Sequence, residues 1–240
     1  MDLGDRACQG GGGVIPFLAI PTYDGRIDFR TEAAVNAFRR AYPKHLVSMR
    51  KSSLLCLTFN GLWADALNRR DDGITHFLML HADVLPQNSD GKCWATVLEE
   101  EMDRHCLDAV SAVVPIKDHS THTSTAVEVN NQIVRLPIST FALPHTLTSA
   151  DTPGLLINTG CLLVDLRKPW VEEFHFTMQD SIIQNGQGKF EARVLPEDWS
   201  MSGWMRDKGL RFGATSKVRT VHAGGADWTS WVPEEAAVAG

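Results

Sequence analysis

The stretch THFLMLHAD, Thr75 to Asp83, sends four apolar residues, Phe77 to Leu80, straight into His81 and Asp83. A carboxylate at the end of a buried strand is costly unless it is paired, hydrogen-bonded or metal-bound. Asp83 therefore either caps the next helix, bonds a backbone amide, or serves a site. His81 is either a satisfied half-buried imidazole or part of that site. A second imidazole, His222, ends the run RTVH before Ala-Gly-Gly. One carboxylate with one or two imidazoles suits Mn²⁺ or Mg²⁺ better than a closed zinc site, and no HExxH or Cys-His zinc spacing occurs. Glu197 and Asp198 follow Pro196 in PEDWSMSGWMRDKG. Acids in a first helical turn are favourable for dipole reasons alone. The functional reading is a general base that takes a proton from an attacking hydroxyl.

These residues need elements to bring them together. Val14 to Ile20 is a near-continuous apolar run of the kind buried on both faces of a parallel sheet, stopped by Pro21 and Asp24-Gly25. Thr31 is placed to cap a helix through Tyr42. HLVSM reads as a second strand. Phe59, Leu62, Trp63, Ala66 and Leu67 fall on one face of a helix, and THFLML is the next strand. Trp94, Val97, Leu98 and Met102 mark another helix, followed by the strand DAVSAVVPI. Residues 117–150 lack clear periodicity and read as a loop or a short antiparallel excursion. GLLINTGCLLVDL is a strand broken at Asn158-Thr159-Gly160, and a last strand ends at His222. Strands alternating with helices imply an α/β fold with a mostly parallel central sheet flanked by helices. Ligands of such sheets bind beyond the carboxyl ends of the strands. Thr22-Tyr23-Asp24, His81-Ala82-Asp83 and His222 all stand there.

The 240 residues and 43 % hydrophobic content are ample for one core. A net charge of −6 gives no support to a general nucleic-acid surface. The five cysteines, Cys8, Cys56, Cys93, Cys106 and Cys161, form no CxxC pair and fit reduced thiols in a cytoplasmic protein. No apolar run has the length of a membrane span. The expected organisation is a flexible lead at 1–13, one catalytic domain at 14–225, and a C-terminal lid or tail at 226–240.

FLAIPTYDGR, a helix with Asn60, THFLMLHADV, INTGCLLVDL and PEDWSMSGWMRDKGLRFGATSKVRTVHAG occur in the order seen in family 2-like glycosyltransferases of the GT-A fold. The chain resembles this family over residues 14–225, and within it the small stand-alone enzymes of bacteria and phages. The resemblance implies that HAD stands for the family's DxD motif, with Asp83 on the metal and His81 replacing the first acid. It likens His222 to the late metal-binding histidine, and Asp198 to the base of inverting members, with Glu197 in reserve. Thr22, Tyr23 and Asp24 resemble the loop that holds the nucleotide, and Asn60 a polar residue facing the donor. Asn158 and Gly160 resemble a segment along the sugar, although a strand bulge explains Gly160 equally well. Trp228 and Trp231 are either packing residues or a lid over the acceptor, hinged at Gly224 and Gly225. Lys117 and Asp118, after VVPI, either contact a ligand or begin a loop.

The activity so implied is metal-dependent transfer of a sugar from a nucleotide-diphosphate donor, a UDP-sugar for preference, to a hydroxyl acceptor. Two alternatives stand beside it. A nucleotidyltransferase would want a glycine-rich, basic loop after the first strand, where PTYDGR supplies one glycine and one arginine. A nucleotide-sugar-binding protein without catalysis would account for His81 in place of an acid.

Overall fold

Apolar residues at alternating positions of the central strands face opposite ways, and both faces are covered. In the computed structural model, which describes residues 13–118, 120–224 and 227–231, the chain begins with β1 (Pro16–Thr22), α1 (Phe29–Ala41), β2 (Leu46–Lys51), α2 (Leu55–Asn68) and β3 (His76–Leu80). It continues through β4 (Val84–Pro86), α3 (Trp94–His105), β5 (Ala109–Ala112), β6 (His122–Val129), β7 (Gln132–Pro137), β8 (Thr146–Thr148), β9 (Leu155–Leu156) and β10 (Cys161–Asp165). The last elements are β11 (Gln179–Gln184), β12 (Phe190–Leu195), α4 (Glu197–Asp207), β13 (Phe212–Thr215), β14 (Thr220–His222) and β15 (Trp228–Thr229).

The central sheet has the order β2-β1-β3-β10-β5-β13-β8. Strands β1, β2 and β3 are parallel, as are β5 and β13. Strand β10 lies antiparallel between β3 and β5, and β8 is antiparallel at the edge. The sheet is therefore mostly parallel, as the alternation of elements predicts. Phe17, Ala19, Phe77 and Met79 pack against Phe59, Leu62 and Trp63 of α2 and Met201 and Met205 of α4. Leu18, Ile20, Leu78 and Leu80 pack against Phe38 of α1 and Trp94 and Leu98 of α3. Two layers of helix thus enclose one sheet, and the period-two alternation decides which residue meets which layer.

Several expectations are corrected. Helix α1 starts at Phe29 with Asp28 as its cap. Thr31 is buried inside it and donates to the Val84 carbonyl at 3.2 Å. Residues 117–150 are more ordered than a loop: β6 and β7 form a hairpin that joins β9 in a second sheet, and β8 joins the central one. The β11–β12 hairpin has no counterpart among the expected elements. Its Ile182 and Phe190 are exposed, so no buried face imprints a pattern on it. Cys56, Cys93 and Cys161 are free thiols, whereas Cys106 is disulfide-bonded, against the expectation of five reduced cysteines. No helix among the described residues is long and apolar enough to cross a membrane. Residues 1–12, the bulk of the expected lead, lie outside the described residues, as do Gly225 of the expected hinge and 226 and 232–240 of the expected lid.

A third small sheet, β15-β14-β4, is the part that matters most for chemistry. Strand β4 begins immediately after Asp83. Strand β14 runs antiparallel to it, placing His222 opposite Val84. The Ala223 N–H donates to the Asp83 carbonyl at 2.8 Å. His222 therefore reaches the HAD segment across this small sheet, not as a neighbour in the central one.

Gly154 fixes the second sheet. It has φ +77°, its carbonyl accepts from the Glu128 N–H at 2.8 Å, and a Cβ there would collide with the Glu128 carbonyl. Gly154→Ala is expected to cost ~2 kcal/mol or more through backbone strain and that collision. Chemical denaturation would register this as a lower midpoint, and an unchanged midpoint would refute the tight approach.

Candidate functional site

The carboxyl ends of β1 and β3 open into a cleft of about 450 Å³ lined by Thr22, Tyr23, Asp24, Arg26, Asp28, Ser52, Ser53, Leu55, His81 and Asp83. Its near wall is a tight turn. Thr22 Oγ1 accepts from the Gly25 N–H and Asp24 Oδ1 from the Arg26 N–H, both at 2.9 Å, and Gly25 adopts φ +85°. This turn leaves the Tyr23 ring 75 % exposed at the mouth. The three residues expected to hold a nucleotide thus do share one cleft with His81 and Asp83.

Asp83 is the focus of charge. One of its oxygens, Oδ2, lies 3.7 Å from His222 Nε2 and is also bonded by the Lys117 ammonium. His222 Nδ1–H donates to the Pro115 carbonyl at 2.8 Å, which leaves Nε2 facing the carboxylate. Burial acts to raise the Asp83 pKa, but the nearby His222 imidazole and the Lys117 ammonium outweigh it and hold the carboxyl well below the usual range. His81 behaves otherwise. Burial lowers its pKa to about 4 despite the Asp83 charge, so the ring is neutral. Its Nε2 looks toward Thr159 Oγ1 at 3.5 Å, and its ring packs on Phe59 with centroids 5.3 Å apart.

Of the expected metal set of Asp83, His222 and His81, the structure brings Asp83 and His222 together. Among the described residues no group of three His, Cys, Asp or Glu side chains is placed to hold an ion. Asp83 and His222 remain together, and the chemistry of that pair fits a divalent cation. Hard cations of this type are held by one or two protein groups plus substrate phosphates and water. An imidazole oriented by a carbonyl on its far nitrogen is the usual ligating arrangement.

Other expected donor contacts are occupied elsewhere. Asn60 on α2 donates to the Phe176 carbonyl at 2.9 Å and accepts from the Phe176 N–H at 2.7 Å, so both ends of its amide clamp a passing chain. Asn158 is buried. It donates to the Ala112 carbonyl at 2.8 Å and accepts from the Gly160 N–H at 3.0 Å. Gly160 packs against Val114 and Val84, and its carbonyl accepts from the His81 N–H at 2.9 Å. Asn158 and Gly160 thus position His81 and do not line the cleft.

Glu197 and Asp198 open α4 and do not line the cleft either. They are linked to it through packing. Ser202 accepts from the Ile157 N–H and donates to the Asp198 carbonyl, both at 2.9 Å, and Ile157 leads into Asn158-Thr159-Gly160 beside His81. Burial, with the neighbouring Glu197 charge, raises Asp198 to about 7. Glu197 is raised by burial as well. Next to Asp198, Trp199 donates from Nε1 to the Ser124 carbonyl of β6 at 3.2 Å, and the Arg135 guanidinium of β7 lies 4.9 Å over its ring.

The two tryptophans separate. Trp231 packs against the small cluster of Leu85, Val221 and Ala223, with Arg219 over its ring. Trp228 pairs with His222 in β15, and a Cβ on Gly224 would meet its ring at 2.8 Å and the Lys117 stem at 3.4 Å. Trp228 therefore stands beside the charged cluster. Arg26, Ser52 and Ser53 line the cleft without having been singled out in the sequence, and Lys117, which the sequence left between ligand contact and loop start, bonds Asp83. The strand-end rule offers a signal for Lys117, which follows VVPI, and for Ser52 and Ser53, which follow β2.

No protein-family model matches the chain, and no curated protein matches it. Solved structures do. A197 from STIV is similar with a TM-score of 0.52 at 12 % identity, covering 88 % of this chain and 86 % of that one. UDP-glucose pyrophosphorylase complexed with UDP-glucose matches with a TM-score of 0.39 at 14 % identity, over 86 % and 75 % of the two chains. Mannose-1-phosphate geranyltransferase from Thermus thermophilus matches with a TM-score of 0.36 at 12 % identity, over 63 % and 57 %. The likeness to A197 is one of fold, the α/β arrangement described above. None of the three is named as a glycosyltransferase.

Two outcomes are expected of this geometry. Asn60→Ala leaves two backbone groups of Phe176 without partners and should cost about 2–3 kcal/mol. The melting temperature should fall by roughly 5–10 °C, where a donor-binding role would alter ligand affinity alone. Asp198 carries a folded-state pKa of about 7 against an unfolded value of 3.8. Its ionisation opposes folding, so the stability it allows is complete below the unfolded value and is lost as pH rises toward 7. Asp198→Asn should therefore be more stable than the parent at pH 8, by ~1–3 kcal/mol, with the gap closing toward pH 4. Equal unfolding midpoints at both pH values would refute the buried environment.

Proposed function

We propose that the cleft binds a nucleotide-diphosphate sugar and that the protein transfers the glycosyl group to an acceptor hydroxyl with inversion. The observation that carries this reading is the cluster of Asp83, His222 and Lys117 at the rim of the cleft formed by β1 and β3. Such a cluster is where the charge of a departing diphosphate would need neutralising. A divalent ion held by Asp83 and His222 would act there as a Lewis acid.

Thr22, Tyr23, Asp24 and the Ser52-Ser53 pair hold the nucleotide in the cleft. His81, neutral and anchored by Gly160 and Thr159, borders the ribose side without adding charge. Asp198 is the base of this reading: it opens α4 outside the lining of the cleft, so an acceptor that spans cleft and helix gives its hydroxyl proton to Asp198 as the hydroxyl oxygen bonds the anomeric carbon. The bond from that carbon to the diphosphate oxygen breaks, and its electron pair leaves with the diphosphate. The transition state has oxocarbenium character. A base with a pKa near 7 is well matched to this step at neutral pH. Arg135, stacked on the Trp199 ring, would meet an acceptor that reaches this base.

One feature favours a second reading, nucleotidyl transfer onto a sugar phosphate. Lys117 and Arg26 bring two cations to the cleft, and phosphoryl chemistry is served chiefly by such charges. The two reactions leave different products. The protein with a panel of nucleotide sugars and Mn²⁺ should release nucleoside diphosphate, with a rate that rises with pH through about 7 as Asp198 ionises. Asp198→Asn should lower that rate about 10²–10⁴-fold. Pyrophosphate consumption with formation of sugar 1-phosphate and nucleoside triphosphate would establish the second reading instead. Thermal stabilisation by the nucleotide sugar without any turnover would identify a binding protein.

A further inference from the structure

A single carboxylate oxygen, Asp83 Oδ2, is held by the Lys117 ammonium and faces His222 Nε2. An ammonium and a divalent ion on the same oxygen would lie within a few ångström of one another. Such like charges repel one another, weakly in bulk water and more strongly near a protein surface. The two cations are therefore competing occupants of Asp83.

The surroundings let the ammonium leave without disturbing the rest. Pro115 bridges Thr123, and the Ile116 N–H donates to the His122 carbonyl at 3.1 Å, so the backbone before Lys117 is pinned. The same Pro115 holds His222 in place through its carbonyl. Only the lysine stem is free to swing. It is one-third exposed and passes over Gly224, where the absence of a side chain gives it room beside Trp228. Lysine suits such a role, being a compact charge with three rotatable donors on a flexible stem.

We propose that Lys117 is an exchangeable counter-ion, neutralising Asp83 in the nucleotide-free protein and passing to the diphosphate when a nucleotide binds, which releases the carboxylate to a divalent ion. The nucleotide half of this exchange rests on the reading of the cleft as a nucleotide-diphosphate site; the competition at Asp83 does not. Nucleotide and metal then bind with positive coupling, since each removes the obstacle to the other. A plain surface ion pair would instead contribute little and couple to nothing.

Calorimetry on the full chain tests both halves. Mn²⁺ is titrated alone into the parent protein, Lys117→Gln and Lys117→Arg; UDP is then titrated into each with chelator present. Lys117→Gln should bind Mn²⁺ alone roughly tenfold tighter than the parent and bind metal-free UDP roughly tenfold more weakly, about 1.4 kcal/mol each way. Lys117→Arg keeps the charge and should behave as the parent in both titrations. Equal Mn²⁺ affinities in the three proteins, or no Mn²⁺ binding in any, overturns the exchange. Tighter Mn²⁺ binding in Lys117→Gln with no UDP binding in any protein, even with Mn²⁺, overturns the nucleotide reading and confines Lys117 to competition with the metal.

Discussion

The Asp83 carboxylate is the constraint around which the site is arranged. A charge at the end of a buried strand is tolerated only with partners, and here they come from two distant segments, Lys117 after β5 and His222 at the end of β14. Lys117 reaches it from the end of β5, across β10, whereas His222 stands on β14, which is not a strand of the central sheet. The small β4–β14 sheet solves the problem by turning the chain after Asp83 into an edge on which β14 can dock, with the Ala223 N–H bonded to the Asp83 carbonyl itself. Main chain and side chain of Asp83 are thus fixed by the same strand.

The central sheet was legible because its physics is repetitive. Strands buried on both faces must be apolar at consecutive positions, and Phe17–Ile20 and Phe77–Leu80 announce this directly. Helix α2 shows its apolar face for the same reason. What stayed hidden lacks a buried face: the β11–β12 hairpin leaves Ile182 and Phe190 to solvent, and the β6–β7 hairpin exposes Val129 and Val134. Side-chain capping was misassigned at Thr31 because a threonine before an apolar-periodic run has the right type, while Asp28, three residues earlier, has both the type and the geometry.

The site was half legible. Strand-end logic finds Thr22, Tyr23, Asp24, His81 and Asp83, since all follow β1 or β3. Asn60, Asn158 and Gly160, which only the family resemblance proposes as donor contacts, are engaged with the backbone, since a polar residue near a site can serve the backbone as readily as a ligand. The Asn60 amide is spent on Phe176, and the Asn158 amide on Ala112 and Gly160. Sequence cannot say which backbone groups a distant loop will leave without partners, so it cannot say which amides will be drawn into satisfying them. Lys117 was ambiguous for the converse reason: its partner, Asp83, is thirty-four positions away in the chain.

Two carboxylates in one protein are given opposite chemical characters by their neighbours. The nearby His222 imidazole and the bonded Lys117 ammonium overcome burial at Asp83 and keep it charged. Burial beside Glu197 does the reverse at Asp198, whose compensation is a backbone N–H and the more distant Arg135. A carboxylate that stays ionised is suited to holding cations; one poised near neutrality is suited to moving a proton. Exchanging the two environments would defeat both tasks, since a protonated Asp83 would lose its cations and a permanently ionised, ion-paired Asp198 would be a poor base. The division of labour proposed for the site is therefore set by which partners each strand end and helix end can reach, and that is decided by the order of the sheets.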